Sequence, residues 1–212
     1  RTAAPVTVSG GPGPLWTFGD QQQSPVISPV CVGCTVNNPA LAVDGDTTTA
    51  STAVVTVGAL GSVGQLIKFP GTYQAGDSIS FTLGVPAQSI NAQLLSGIRV
   101  QTYNGATPNG DVMMLDNSLV DLQLLGLDVT GNVGKFRVTI PVNSTFDGAQ
   151  VDLTGTVAAL SSLNIYEAAA FIPVSVTPAN LTVPFGSDTT LTAAIRLPGA
   201  TFNWYTTPTG GT

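Results

Sequence analysis

Apolar and polar residues alternate with a period of two along much of the chain, the spacing that sends successive side chains to opposite faces of a strand. Residues 79–83 read Ile-Ser-Phe-Thr-Leu between Gly76-Asp77 and Gly84, a half-buried strand with turn residues at both ends. Further strands are predicted over 54–57, 65–69, 97–103, 135–140, 150–153 and 162–168. Turn chemistry punctuates them at Asp44-Gly45, Pro70-Gly71, Asn104-Gly105, Asn109-Gly110, Gly131-Asn132 and Asp147-Gly148. Short strands spaced in this way predict an all-β chain built as an antiparallel sandwich or barrel. Residues 119–125 read as a strand, although Leu119, Leu122 and Leu125 also fit a helical turn; residues 87–95 read as a loop or short helix.

A second boundary falls near Ile172-Pro173. Beyond it, 174–178 reads as an edge strand, 181–183 and 189–195 as strands either side of a Gly186-Ser187-Asp188 turn, and Trp204 follows. That order is the opening of an immunoglobulin-like sandwich, with the Trp filling the space between two sheets rather than stacking on a ligand.

Composition narrows the chemistry. Only 8% of the 212 residues are charged and there is no His, so catalytic and metal-binding side chains are scarce. Glu167 is the only Glu, and most Asp residues, Asp111 and Asp116 among them, stand in turn contexts or at unremarkable spacings, so no catalytic residue is expected. A net charge of -6 with six scattered basic residues argues against nucleic acid and against an anionic membrane surface. No apolar run approaches the ~20 residues that span a bilayer. No signal peptide opens the chain, so export would rest on a segment outside it.

Cys31 and Cys34 are the only cysteines, spaced Cys-Val-Gly-Cys. Zinc would need four ligands, and a redox pair would open a helix; here Thr, Asn and Pro follow. The expected state is a short-loop structural disulfide, which places the protein in an oxidising compartment. Asp44 and Asp46 flank Gly45, an arrangement that can offer hard oxygens to Ca²⁺. The plainer reading, a tight turn that needs the positive φ of Gly, is favoured. Candidate sugar platforms are Trp16, Phe18, Tyr73, Tyr103 and Tyr166, isolated in sequence and with no cluster of Arg among them.

Two resemblances sharpen this. The run LTAAIRLPGATFNWYTTPTGGT resembles the immunoglobulin-like repeats of very large surface proteins from Bacteroidetes-type bacteria, and the opening RTAAPVTVS resembles the last strand of such a repeat. The block between resembles modules that alternate with these repeats in adhesins, including gliding-motility adhesins. Within it, NPALAVDGDTTTAS is similar to the first loop of discoidin-like, galactose-binding-like jelly rolls, and SSLNIYEAAAF to their final strand. The Trp common after the Thr in that loop is Ala50 or Ser51 here. The resemblance implies a structural calcium at Asp44 and Asp46. The resemblance to Bacteroidetes-type surface proteins implies O-glycosylation at Asp-Ser/Thr sites, which are Thr47, Ser78 and Thr189 here.

The expected organisation is a closing strand of a preceding immunoglobulin-like module over 1–9 and a linker or entry segment over 10–30. An antiparallel jelly-roll-like β-sandwich over 31–172 and a partial immunoglobulin-like β-sandwich over 173–212 follow. The expected role is a non-catalytic structural or adhesive repeat unit of an extracellular surface protein or filament, partnered by neighbouring copies or modules. The alternative is a carbohydrate-binding, discoidin-like module of a secreted multidomain protein, partnered by surface glycans.

Overall fold

Along Val133–Pro141 half-buried and buried positions alternate without a break until the last residue, so the period of two read in the sequence is the period of burial. The computed structural model describes residues 6–8, 15–27, 31–55, 61–86, 92–116, 121–127, 131–154, 162–173, 175–177, 181–183 and 189–194. Trp204, Tyr205 and most of the opening and closing runs lie outside the described residues.

In chain order the strands are β1 (Val6–Val8), β2 (Leu15–Phe18), β3 (Gln21–Ile27), β4 (Thr35–Asn37), β5 (Ser51–Val54) and β6 (Ser62–Tyr73). Then come β7 (Ser78–Pro86), β8 (Ile98–Asn104), β9 (Thr107–Pro108), β10 (Met113–Met114), β11 (Asp121–Leu127) and β12 (Val133–Pro141). The last are β13 (Phe146–Thr154), β14 (Ser162–Ile172), β15 (Ser175–Thr177), β16 (Leu181–Val183) and β17 (Thr192–Ala194). A helical turn, Ala92–Leu95, occupies part of the stretch read as loop or short helix.

The chain divides into two units, residues 16–171 and residues 1–15 with 172–212. The first is an antiparallel β-sandwich. Its larger sheet has seven strands in the order β11-β12-β7-β14-β5-β4, with β2 added beside β14; its smaller sheet has six, β10-β8-β13-β6-β3 with β9 beside β8. In the other unit β1 pairs with β16 and β15 with β17, both antiparallel.

The segment 10–30, expected as a linker, contributes β2 to the larger sheet and β3 to the smaller one. Gln21-Gln22-Gln23 is polar, yet it pairs with Lys68, Ile67 and Leu66 of β6 and so borrows its strand conformation from a partner.

Phe81, Phe136, Phe146, Ile67, Ile79 and Leu83 are fully buried between the sheets. Tyr73 stacks on Phe146 with ring centroids 5.2 Å apart and belongs to this core rather than to a sugar platform. Gln65, also fully buried, ties the sheets together: Ser51 of β5 donates to its Oε1 at 2.6 Å, and its Nε2 donates to the Pro39 carbonyl at 2.6 Å. Both ends of the amide are satisfied, so a polar side chain sits in the interior without the penalty of an unmade bond. On the smaller sheet Tyr103 donates to Gln150 at 2.8 Å, Gln150 donates to Asp152 at 2.8 Å, and Arg99 pairs with Asp152 at 2.8 Å. Tyr103 is therefore part of a structural network.

Cys31 and Cys34 are disulfide-bonded, with Cα atoms 5.6 Å apart, and both are buried. Among the described residues no helix is long and apolar enough to cross a membrane.

Candidate functional site

The site forms on the face of the larger sheet that points away from the core. On β7 the fully buried Ile79, Phe81 and Leu83 face inward, so Ser80 and Thr82 face the other way. On β12 Phe136 and Val138 face inward, which leaves Lys135 and Arg137 on the same outer face. On β14 Leu163 and Ile165 face inward, and a continued alternation would send Glu167 into the core.

A β-bulge prevents that. Ile165 pairs with Leu83 and Glu167 with the next residue, Thr82, so Tyr166 is one residue too many and the alternation changes phase. Ala168 and Ala170 then stand opposite Phe81 and Ile79, while Glu167 joins Thr82 and Arg137 in one cross-strand row. The extra Tyr166 lies across Gly84, where a Cβ would come within 2.8 Å of its ring. The Lys135 ammonium sits 4.0 Å from the centre of the same ring.

β2 walls the other side. Trp16 packs on Phe171 with ring centroids 4.8 Å apart and remains 37% exposed; Phe18 is 49% exposed. The Arg137 guanidinium reaches to 5.6 Å from the centre of the Trp16 ring, so two residues far apart in the chain meet across the sheet. Between them runs a groove of about 130 Å³ lined by Trp16, Phe18, Thr47, Ser80, Thr82, Arg137, Glu167, Ala168 and Ala169. That is below the ~300 Å³ at which enclosed small-molecule sites begin. It suits a ligand lying on the surface rather than one engulfed.

The loop carrying Asp44 and Asp46 closes one end. Gly45 has φ 78°, the left-handed region that the tight turn requires. Asp44 accepts the Asp46 N–H at 2.9 Å and the Thr49 hydroxyl at 2.8 Å. Asp46 accepts the Thr48 hydroxyl at 2.6 Å and the Thr48 N–H at 2.8 Å, bonds that hold its carboxyl below the usual range. Calcium takes six to eight oxygen ligands. Both Asp44 oxygens and Asp46 Oδ1 accept from the loop's own donors, and among the described residues no three acidic, Cys or His side chains assemble. The hydrogen bonds within the loop are those of a tight turn. Thr47 and Thr189 are exposed and Ser78 is half-buried. The Lys135 ammonium donates to the Thr47 carbonyl and anchors the loop to β12.

Glu167 is the unusual member of the site. It is 2% exposed, and its Oε1 accepts the Gly45 N–H at 2.7 Å while Oε2 has no hydrogen-bond partner among the described residues. Burial pushes its pKa up to about 7; Asp44 and Asp46 add to that rise, and the Gly45 bond opposes it.

Of the five aromatic candidates, the fold brings Trp16 and Phe18 into one groove, with Tyr166 beside it. The association of Arg137 with Trp16, and the orphaned oxygen of Glu167, are invisible in sequence. The hint was there only in the chain's single Glu standing in a mostly apolar strand.

No protein-family model and no curated protein matches the chain. Among solved structures it is similar to a family 29 carbohydrate-binding module, at 11% identity and TM-score 0.38 over 74% of this chain and 93% of that one. A second, a variant of that module complexed with mannohexaose, gives 10%, 0.37, 74% and 92% in the same order. The family 32 carbohydrate-binding module of C. perfringens NanJ, in complex with galactose, gives 15%, 0.32, 71% and 98%. At TM-scores of 0.32 to 0.38 the likeness says nothing of this chain's ligand, which is read from its own residues.

Proposed function

We propose that residues 16–171 form a non-catalytic glycan-binding sandwich within an extracellular adhesive protein, and that the groove between β2 and β12 is its ligand surface. The observation that carries this is the pairing of two exposed rings, Trp16 and Phe18, with a guanidinium and a buried carboxyl in one shallow groove. A sugar ring has an apolar C–H face and a rim of hydroxyls, so it needs an aromatic plate with polar groups at its edge. The Cys31–Cys34 disulfide fits an oxidising, extracellular setting. A shallow groove gives weak single contacts, and an adhesive protein presenting many copies would add them through effective concentration.

A glycan array probed with the full chain and with Trp16→Ala tests the reading. Saturable binding that falls ten-fold or more in Trp16→Ala, with cooperative unfolding retained, is expected. Binding that Trp16→Ala leaves unchanged, or no binding to any glycan, overturns it.

A further inference from the structure

We propose that the groove takes a neutral sugar and that Glu167 selects it, its Oε2 accepting a ring hydroxyl at the groove floor. This rests on the glycan-binding reading and adds to it the ligand's charge class and a linked proton.

The argument starts from an unmade bond. Glu167 is buried, lines the groove, and spends Oε1 on Gly45 while Oε2 is left without a hydrogen-bond partner among the described residues. A buried oxygen in that state carries a desolvation penalty that a donor arriving with a ligand would relieve. A hydroxyl suits the position. A metal ion does not, because no three ligating side chains come together among the described residues.

The surroundings set the ligand's charge. From the loop, Asp44 and Asp46 bear on Glu167. From β12 come Lys135, which is bound to the Thr47 carbonyl and lies over Tyr166, and Arg137, which lies over Trp16. The neighbouring positions of β7 and β2, namely Ser80, Thr82, Trp16 and Phe18, carry no charge. At the Glu167 end a ligand carboxylate would meet three carboxyl groups, while the Lys135 ammonium is held by the Thr47 carbonyl and Arg137 is drawn toward Trp16. A neutral hydroxyl meets no such repulsion.

The same geometry couples binding to a proton. A hydroxyl donating to a carboxylate makes a charge-assisted bond, stronger than the one it makes to a neutral carboxyl. The ligand therefore prefers ionised Glu167, and the proton the carboxyl held passes to the buffer on binding. The carboxyl titrates near 7. If only the ionised form binds well, the competent fraction, and with it the affinity, rises roughly ten-fold from pH 6 to pH 8.

Isothermal titration of the full chain and of Glu167→Gln, at pH 6 and pH 8 and in two buffers of different ionisation heat, tests this. The probes are mannohexaose, galactose, and the tightest neutral and tightest acidic oligosaccharides from the array. Expected are tighter binding of a neutral sugar at pH 8 by about ten-fold, proton release at pH 6, and weaker binding of the acidic sugar. In Glu167→Gln both the pH slope and the proton release should vanish, with thermal unfolding still cooperative. Neutral-sugar binding that depends on Trp16 but is equal at the two pH values overturns this inference alone. So does a pH slope that survives Glu167→Gln, or preference for the acidic sugar. Absence of binding by every probe overturns it together with the glycan reading.

Discussion

Arg137 and Glu167 flank Thr82 in one cross-strand row, yet they form no ion pair with each other. Two strand spacings, roughly 10 Å of backbone, separate them, and each is drawn elsewhere: the guanidinium toward the Trp16 ring, the carboxyl toward the Gly45 N–H. Had they paired, the buried carboxyl would have been held ionised and the groove floor closed. Kept apart, they leave the groove with a donor at one side and an acceptor at the other.

The stability of the fold should carry the signature of Glu167. Its folded-state pKa of about 7 lies above the ordinary value of 4.5, so the folded chain holds the proton more tightly than the unfolded one. Stability from this group is fully present below pH 4.5 and is lost as pH rises through about 7. Glu167→Gln, which stays neutral, should leave urea stability unchanged near pH 4. At pH 8 and above it should raise stability by on the order of 2 kcal/mol. Equal urea midpoints for the two proteins at pH 8.5 would contradict the assigned burial.

Gly64 and Gly84 are among the glycines where another atom approaches closely. A Cβ on Gly64 would sit 2.1 Å from the Val151 carbonyl oxygen, and one on Gly84 would sit 2.7 Å from Val133 Cγ1 and 2.8 Å from the Tyr166 ring. Backbone yields less than side chains, so Gly64→Ala should cost more than Gly84→Ala, which should itself cost about 1–3 kcal/mol. Gly71→Ala, with nothing within 4 Å of its Cβ, is the control and should change stability by less than about 0.5 kcal/mol. Denaturant midpoints rank the three, and a near-neutral Gly64→Ala would show that β6 and β13 do not meet as described.

Reduction of the Cys31–Cys34 bond releases a loop of sequence separation 3, the short limit of what a cross-link can restrain. The expected loss is about 2 kcal/mol, measured as the shift in unfolding midpoint between untreated protein and protein held in reductant. Glycan binding by the reduced chain should persist, because neither Cys lines the groove. Loss of binding while the sandwich stays folded would place the ligand surface elsewhere.

Strands with one buried and one half-buried face were legible in the sequence, and β7 and β12 are where alternation alone sufficed. Where the backbone changes phase, the pattern misleads. The ambiguity over 119–125 has such a cause: the register of β11 against β12 shifts between Leu124 and Gly126, and the adjacent Leu124 and Leu125 are both exposed. β3 was illegible because its glutamines are polar and owe their extended state to β6. The site was harder still. Trp16 and Arg137 lie far apart in the chain and share only an outer face, which no local window contains. Glu167 reads as a core-facing position unless the bulge at Tyr166 is known.

That bulge acts as a parity marker. Upstream of Tyr166 the odd-numbered residues of β14 belong to the core, and downstream the even-numbered ones do. The identity of the groove is thus written in a residue count rather than in any side chain. A regular strand in which Tyr166 itself faced Thr82 would turn Glu167 toward the core and present Ala168 to the solvent, whereas deleting Tyr166 would keep Glu167 facing out on an unbulged strand. Insertions in β14 that no bulge absorbs, more than substitutions, are therefore the changes that would carry Glu167 off the groove face.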